Sequence, residues 1–138
     1  WMQAAVQEYG RTKDGDAAGE VGYGLLTTLA GRQLRLGQPA ILDSVASTES
    51  IRQTWRDLAA QHGAAFRVIE CVCSDEAVHR ARLAERKRGI PGWPELEWSD
   101  VERVRGYYLP WGDDERLVVD MVKPLEENIA AVMGYLKE

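Results

Sequence analysis

The sequence has no apolar run approaching 18 residues, which excludes a hydrophobic membrane-spanning helix within it. Its first residues carry Gln3, Gln7, Glu8 and Arg11 where a secretory signal would need an apolar stretch. Cysteine is scarce, with only Cys71 and Cys73. On a strand these two side chains leave the same face two residues apart, where a disulfide would be badly strained. They are expected to be reduced core thiols with no disulfide partner. Cys-x-Cys is also not the usual Cys-x-x-Cys of a zinc site, so a metal shared with His62 and His79 is not expected. Basic charge is in deficit, 17 residues against 22 acidic, for a net charge of −5 and a pI near 5.1. That balance argues against general nucleic-acid binding, and neither a nucleic acid nor a membrane is expected as a partner.

What is present suits a globular chain. Of 138 residues, 45% are hydrophobic and 28% charged, with no internal repeat, low-complexity tract or linker, so residues 1–138 read as a single cytoplasmic domain. The first residue is Trp1, which reads as a processed or trimmed start, or as loss of upstream residues.

The order of elements follows from periodicity. Val21, Leu25, Leu26, Leu29, Leu34 and Leu36 recur at three- and four-residue steps from Asp16 to Leu36 and predict an amphipathic helix stopped at Gly37. Ala40-Ile41-Leu42 reads as a short buried strand ending in Asp43. Ser47 or Thr48 caps a helix with Ile51, Trp55, Leu58 and Ala59 on one face, stopped by Gly63. Phe66 to Cys73 is the second strand, and Ser74 caps a helix through Arg88. Gly89 to Pro94 is a loop, Ser99 or Asp100 starts another helix, Arg116 to Asp120 is a third strand, and Pro124 opens a last helix through Leu136. Strands separated by helices predict an α/β fold with a parallel sheet covered on both faces.

Ligand sites in such sheets lie beyond the C-terminal ends of the strands. Asp43 holds that place, either as a carboxylate for Mg²⁺ or its water or as a turn cap. Arg80, Arg82, Arg86 and Arg88 with Lys87 lead into the Gly89-Ile90-Pro91-Gly92 loop. They form either the base of a lid whose guanidinium groups fork onto phosphate, or a solvated face paired with Glu76 and Glu85. Arg52 lies in the first turn after Asp43, within reach of the same edge, or in a surface salt bridge. Gly19, Gly22 and Gly24 fall inside a helical pattern and follow no strand, so they are packing or helix-end glycines. His62 reads as a helix C-terminal residue and His79 as surface. Trp93 and Trp98 either close over a ligand or anchor their loop.

The strand ending in Asp43, the helix with Arg52-Gln-Thr-Trp-Arg56, the strand Arg67-Val-Ile-Glu-Cys-Val, Arg82-Leu-Ala-Glu-Arg86, and Leu117-Val-Val-Asp120 before Pro124-Leu-Glu-Glu127 together resemble P-loop kinases of the AAA_33 and zeta-toxin-like group. The resemblance covers about Leu25 to Leu136. It implies a three-layer P-loop NTPase-like sheet of order 2-3-1-4-5 and a lid at about residues 80–100. It also implies an ATP-dependent phosphotransferase acting on a small-molecule hydroxyl with Mg²⁺. By this resemblance Asp43 is the Walker-B-like acid serving Mg²⁺, directly or through water. Arg82 and Arg86 are lid arginines, one against the adenine or ribose and one, Arg86 as the catalytic candidate, facing the transferring phosphate. Lys123 and Pro124 lie near the adenine, and Arg52 on the phosphate or acceptor side.

The chain contains no Gly-Lys dipeptide, so the glycine-rich cradle and its lysine are not among these residues. Nor is a strand expected before Asp16. The expectation is therefore a fragment lacking the P-loop strand and the second strand, inactive by itself. The strands ending at Asp43 and Cys73 would then have a gap between them or pair directly, with apolar edge surface exposed. The alternative is a non-catalytic nucleotide-binding or protein-interaction domain without a P-loop.

Overall fold

The structure, a computed structural model, describes residues 15–91, 95–112 and 116–137. The chain divides into two compact units, Trp1–Phe66 with Gly89–Pro94, and Arg67–Arg88 with Glu95–Glu138. Trp93, one of the two tryptophans expected to flank the loop, lies outside the described residues.

The first unit holds two helices, α1 (Gly15–Arg35) and α2 (Glu49–Gln61). Both end as the glycines foretold. Gly37 adopts φ 67° and Gly63 φ 63°, the left-handed conformation that costs glycine nothing. Ala64 N–H then returns to the Ala59 carbonyl at 2.9 Å, and Gln38 N–H to Gln33 at 3.0 Å. The α2 face predicted from spacing is the buried one, with Arg52, Trp55 and Ala59 inside. Trp55 meets Tyr23 edge-on at 5.9 Å and donates its indole N–H to Thr27 Oγ1 at 2.9 Å. Ala30 is buried beside this contact region, and Gly31 lies where an added Cβ would meet Leu58 Cδ1 at 3.4 Å. Gly19, Gly22 and Gly24 face open space instead, so they are helical glycines but not packing ones.

The strand expected at Ala40–Leu42 does not form. Residues 38–43 have no regular secondary structure, and Ile41 is 95% exposed. Three apolar residues become a strand only when a neighbour completes their backbone hydrogen bonds, and among the described residues none does.

The second unit contains β1 (Val68–Val72), α3 (Glu76–Glu85), α4 (Trp98–Arg105), β2 (Arg116–Asp120) and α5 (Leu125–Tyr135). The two strands pair in parallel, Val68 opposite Arg116 through Val72 opposite Asp120. The chain is therefore a mixed α/β protein whose sheet, among the described residues, is this one parallel pair. Helix α5 is fastened to it by Asn128 Nδ2, which donates to the Asp120 carbonyl at 2.9 Å, and Val119 is buried.

Several expected core positions stay half exposed. Leu125, Ile129 and Met133 of α5, Leu136 at its C-cap, and Val21, Leu25 and Leu29 of α1 are each about half accessible. Cys71 is exposed rather than a core thiol, and both cysteines are free.

Glu70, in the middle of β1, anchors a polar knot. Its carboxylate accepts from Tyr108 Oη at 2.5 Å and lies 2.6 Å from Arg116 Nε, both side chains of this ion pair being 17% exposed. Arg116 Nη1 also donates to the carbonyls of Trp111, at 2.8 Å, and Gly112, at 2.9 Å. The segment after α4 is thereby tied to both strands.

Candidate functional site

Within the second unit, the C-terminal ends of β1 and β2 carry a constellation of loops. Asp120 Oδ1 accepts from Ser74 N–H at 3.2 Å and from Val122 N–H at 3.1 Å, so one carboxylate joins the turns that follow both strands. The Ser74 hydroxyl, then the Val122 and Ser74 backbone amides, with Lys123 nearby, hold the Asp120 carboxyl below the usual aspartate range. Met121 N–H extends the ladder by donating to Val72 O at 2.8 Å. Arg82 reaches across from α3 and donates through Nη1 to the Met121 carbonyl at 2.7 Å. Arg82 is thus brought to the turn containing Lys123 and Pro124, where Lys123 Nζ lies 3.0 Å from Glu127 Oε1. Pro124 is the N-cap of α5, as the fixed φ of proline suits.

Helix α3 is shorter than expected. Its N-cap is Asp75, whose carboxylate accepts from Val78 N–H at 3.0 Å, and not Ser74. It ends with Arg86 as C-cap, in extended conformation at ψ 124°, so Lys87 and Arg88 are off the helix. The two arginines expected to act together diverge. Arg82 turns to the β2-end turn, whereas Arg86 lines a groove formed with Leu83, Ala84, Leu96 and Trp98.

The rest of the arginine cluster is neutralised internally. Arg80 Nε donates to Glu76 Oε1 at 2.9 Å and lies 3.7 Å from Glu102. Arg105 contacts Glu76 Oε2 at 3.5 Å. Both guanidinium groups flank Trp98, Arg80 at 3.9 Å and Arg105 at 5.0 Å from the ring centroid, within cation–π range. Trp98 donates its indole N–H to Glu102 at 2.9 Å, and His79 packs on it edge-on at 5.1 Å, half buried and not a plain surface residue. Hydrogen bonding and charge from Arg80, followed by Arg105, lower the Glu76 carboxyl from its ordinary value. For Arg80, the paired-face reading is the one observed. Trp98 opens α4, one residue before the expected start, because Asp100 Oδ2 accepts from Glu97 N–H at 3.0 Å and sets the first turn there.

In the first unit, Asp43 is exposed. Arg52 is 1% exposed, with Nε donating to the Ala46 carbonyl at 2.8 Å. Ala46 has φ 43°, a conformation alanine rarely adopts, and the Arg52 bond clamps it. Arg52 therefore braces the loop after Asp43. Arg56 pairs with Glu49 at 2.6 Å. Among the described residues no three His, Cys, Asp or Glu side chains come together as a metal cage.

Sequence reasoning passed over Asp120, although an acid after an apolar strand marked it as clearly as Asp43, and it missed the Trp98 clasp. The i,i+4 pairs Glu76–Arg80 and Trp98–Glu102 were the available signal for the latter.

No helix among the described residues is long and apolar enough to cross a membrane. No curated protein matches the chain, and no solved structure does. The AAA domain family model, AAA_33, matches residues 2–100, a span that includes Asp43, Arg52 and the whole arginine helix. The chain belongs to the AAA_33 family of AAA domains.

Proposed function

We propose that the chain is the nucleotide-handling part of a zeta-toxin-like P-loop phosphotransferase, which moves the γ-phosphoryl group of ATP to a small-molecule hydroxyl. The observation that carries this reading is Arg82 fixed against the β2-end turn beside Lys123. That arrangement puts positive charge at the C-terminal edge of a parallel pair, where open α/β sheets take their ligands. Arg82 and Lys123 hold and orient the base or ribose side of ATP and Pro124 borders it, whereas Arg86, which lines a groove with Leu83, Leu96 and Trp98, takes no part in this contact. Asp43, exposed on its loop, is the carboxylate that would serve a hydrated Mg²⁺ through a water. When bound, Mg²⁺ and ATP supply the charge neutralisation and the phosphoryl group. Arg52 keeps the Asp43 loop in place through the Ala46 carbonyl.

The three-layer sheet belongs to the same proposal, as does the lid at about residues 80–100. The 138 residues carry no Gly-Lys dipeptide, so they are expected to bind nucleotide weakly and to show no turnover alone. That same absence favours the second reading, a nucleotide-binding or interaction domain without catalysis.

Titration of the chain with ATP and Mg²⁺, followed by amide resonances, tests the proposal. Saturable shifts at Ser74, Met121 and Lys123, weakened about tenfold in Arg82→Ala, support it. Absence of saturable shifts at these residues removes nucleotide binding and leaves the interaction reading.

A further inference from the structure

Helix α3 has a second used face. Arg80, Leu83 and Ala84 are spaced at three and four residues, so they form one stripe of α3, and Arg82 lies on the other side of the helix from it. Along this stripe runs a groove of about 320 Å³, closed on its far side by Glu95, Leu96, Glu97 and Trp98 and at its end by Arg86. That volume is at the small end of the range for ligand pockets. The groove belongs to the second unit alone and shares no residue with the Ser74–Asp120–Met121–Lys123 constellation.

Its uncommitted charge is net positive once the internal bonds are counted. Glu95 accepts the Arg88 backbone N–H at 3.0 and 3.1 Å and pairs with the Arg88 side chain at 3.5 Å. Arg80 is held by Glu76 and Glu102. Arg86 and Lys87 are exposed, and among the described residues no carboxylate pairs with either. The floor is apolar, from Leu83, Ala84 and Leu96, with Leu96 42% exposed. A groove with an apolar floor, with Arg86 and Lys87 uncommitted and Glu95, one of its two carboxylates, already engaged by Arg88, is complementary to a ligand with an apolar body and an anionic head.

We propose that this groove binds a small amphipathic anion, such as an aryl or alkyl phosphate or carboxylate, independently of the nucleotide reading above. The apolar body would cover Leu83 and Leu96 beside the Trp98 edge, and the anion would draw on Arg86 and Lys87, the guanidinium by forked hydrogen bonds and the ammonium as a point charge.

The test uses phenyl phosphate as probe, with inorganic phosphate and benzyl alcohol as its two halves, followed by the Trp98 indole N–H and the Leu83 and Leu96 amide resonances of the full chain. Saturable shifts with phenyl phosphate, at least tenfold weaker with either half, are expected. Lys87→Glu and Leu96→Asp, both at exposed positions, should each weaken binding about tenfold or more, and the Met121 and Lys123 amides should stay still. The proposal is overturned by no saturable shift, by inorganic phosphate binding as well as phenyl phosphate, or by binding indifferent to both substitutions. Shifts centred on Met121 and Lys123 would also overturn it, and would assign the probe to the nucleotide site.

Discussion

Replacing Glu70 by Gln is the sharpest probe of what holds the strand pair. The substitution keeps shape and removes one charge from a pair whose two side chains are 17% exposed and 2.6 Å apart. Removing one member of a fully buried ion pair costs about 3–5 kcal/mol, because the other charge stays behind without compensation. Two features reduce that figure. Some water reaches the pair, and Arg116 keeps the Trp111 and Gly112 carbonyls as acceptors. A loss of about 2–3 kcal/mol is therefore expected. With a urea m-value of about 1 kcal/mol/M, as for small units, the midpoint of the second unit falls by about 2–3 M. Urea unfolding followed by far-UV dichroism reads the total, and native-state hydrogen exchange at the β1 and β2 amides reads the same loss locally. The Tyr108→Phe variant should cost less, about 1 kcal/mol, and should couple to Glu70→Gln in a double-mutant cycle. A loss under about 0.5 kcal/mol, in the range of exposed pairs, would refute the assignment of Glu70 as the knot of this unit.

Gly22→Ala and Gly24→Ala should each raise stability by about 0.5–1 kcal/mol, since both lie in the α1 interior with nothing near an added Cβ and glycine is the poorer helix former; thermal melting showing no gain would contradict the helical assignment there. Acid should act in one direction on the Asp120 contribution. Its folded carboxyl titrates below the unfolded one because Ser74 and Val122 favour the charged form, so that stabilisation is complete above the unfolded value, roughly pH 4, and is lost as pH falls through the lower folded value. Asp120→Asn should flatten the acid limb of a stability–pH profile, and an unchanged limb would dismiss the carboxylate as a staple.

The helices were legible because their information is local. The apolar steps around Trp55 and the stops at Gly37 and Gly63 need nothing beyond neighbouring residues, and β2 came out with its expected limits, Arg116–Asp120. Ala40-Ile41-Leu42 was misread because a short apolar run records a wish to be covered but not the presence of a partner strand. Arginines pose the same difficulty in another form. The sequence displays five cations between Arg80 and Arg88, yet only three-dimensional placement reveals that Glu76, Glu95 and Glu102 consume Arg80 and Arg88, that Arg82 is bound to a carbonyl, and that Arg86 and Lys87 remain. Arg52 shows the limit most plainly, since a residue read as a charge near the ligand edge is a buried brace for Ala46.

The parallel pairing also dictates the order in which the second unit can assemble. Each rung joins residues 48 positions apart, 68 against 116, so no part of the sheet can form before a long loop has closed. The contacts available earlier lie inside that loop: Glu76 with Arg80, and the grip of Arg80 and Arg105 on Trp98, which shortens the span by drawing α3 and α4 together. Folding of this unit should therefore be paced by the helical insert, with the strands zipping last. Kinetic sensitivity should concentrate at Trp98 and Glu76, whereas substitutions in β2 should act mainly on the unfolding rate.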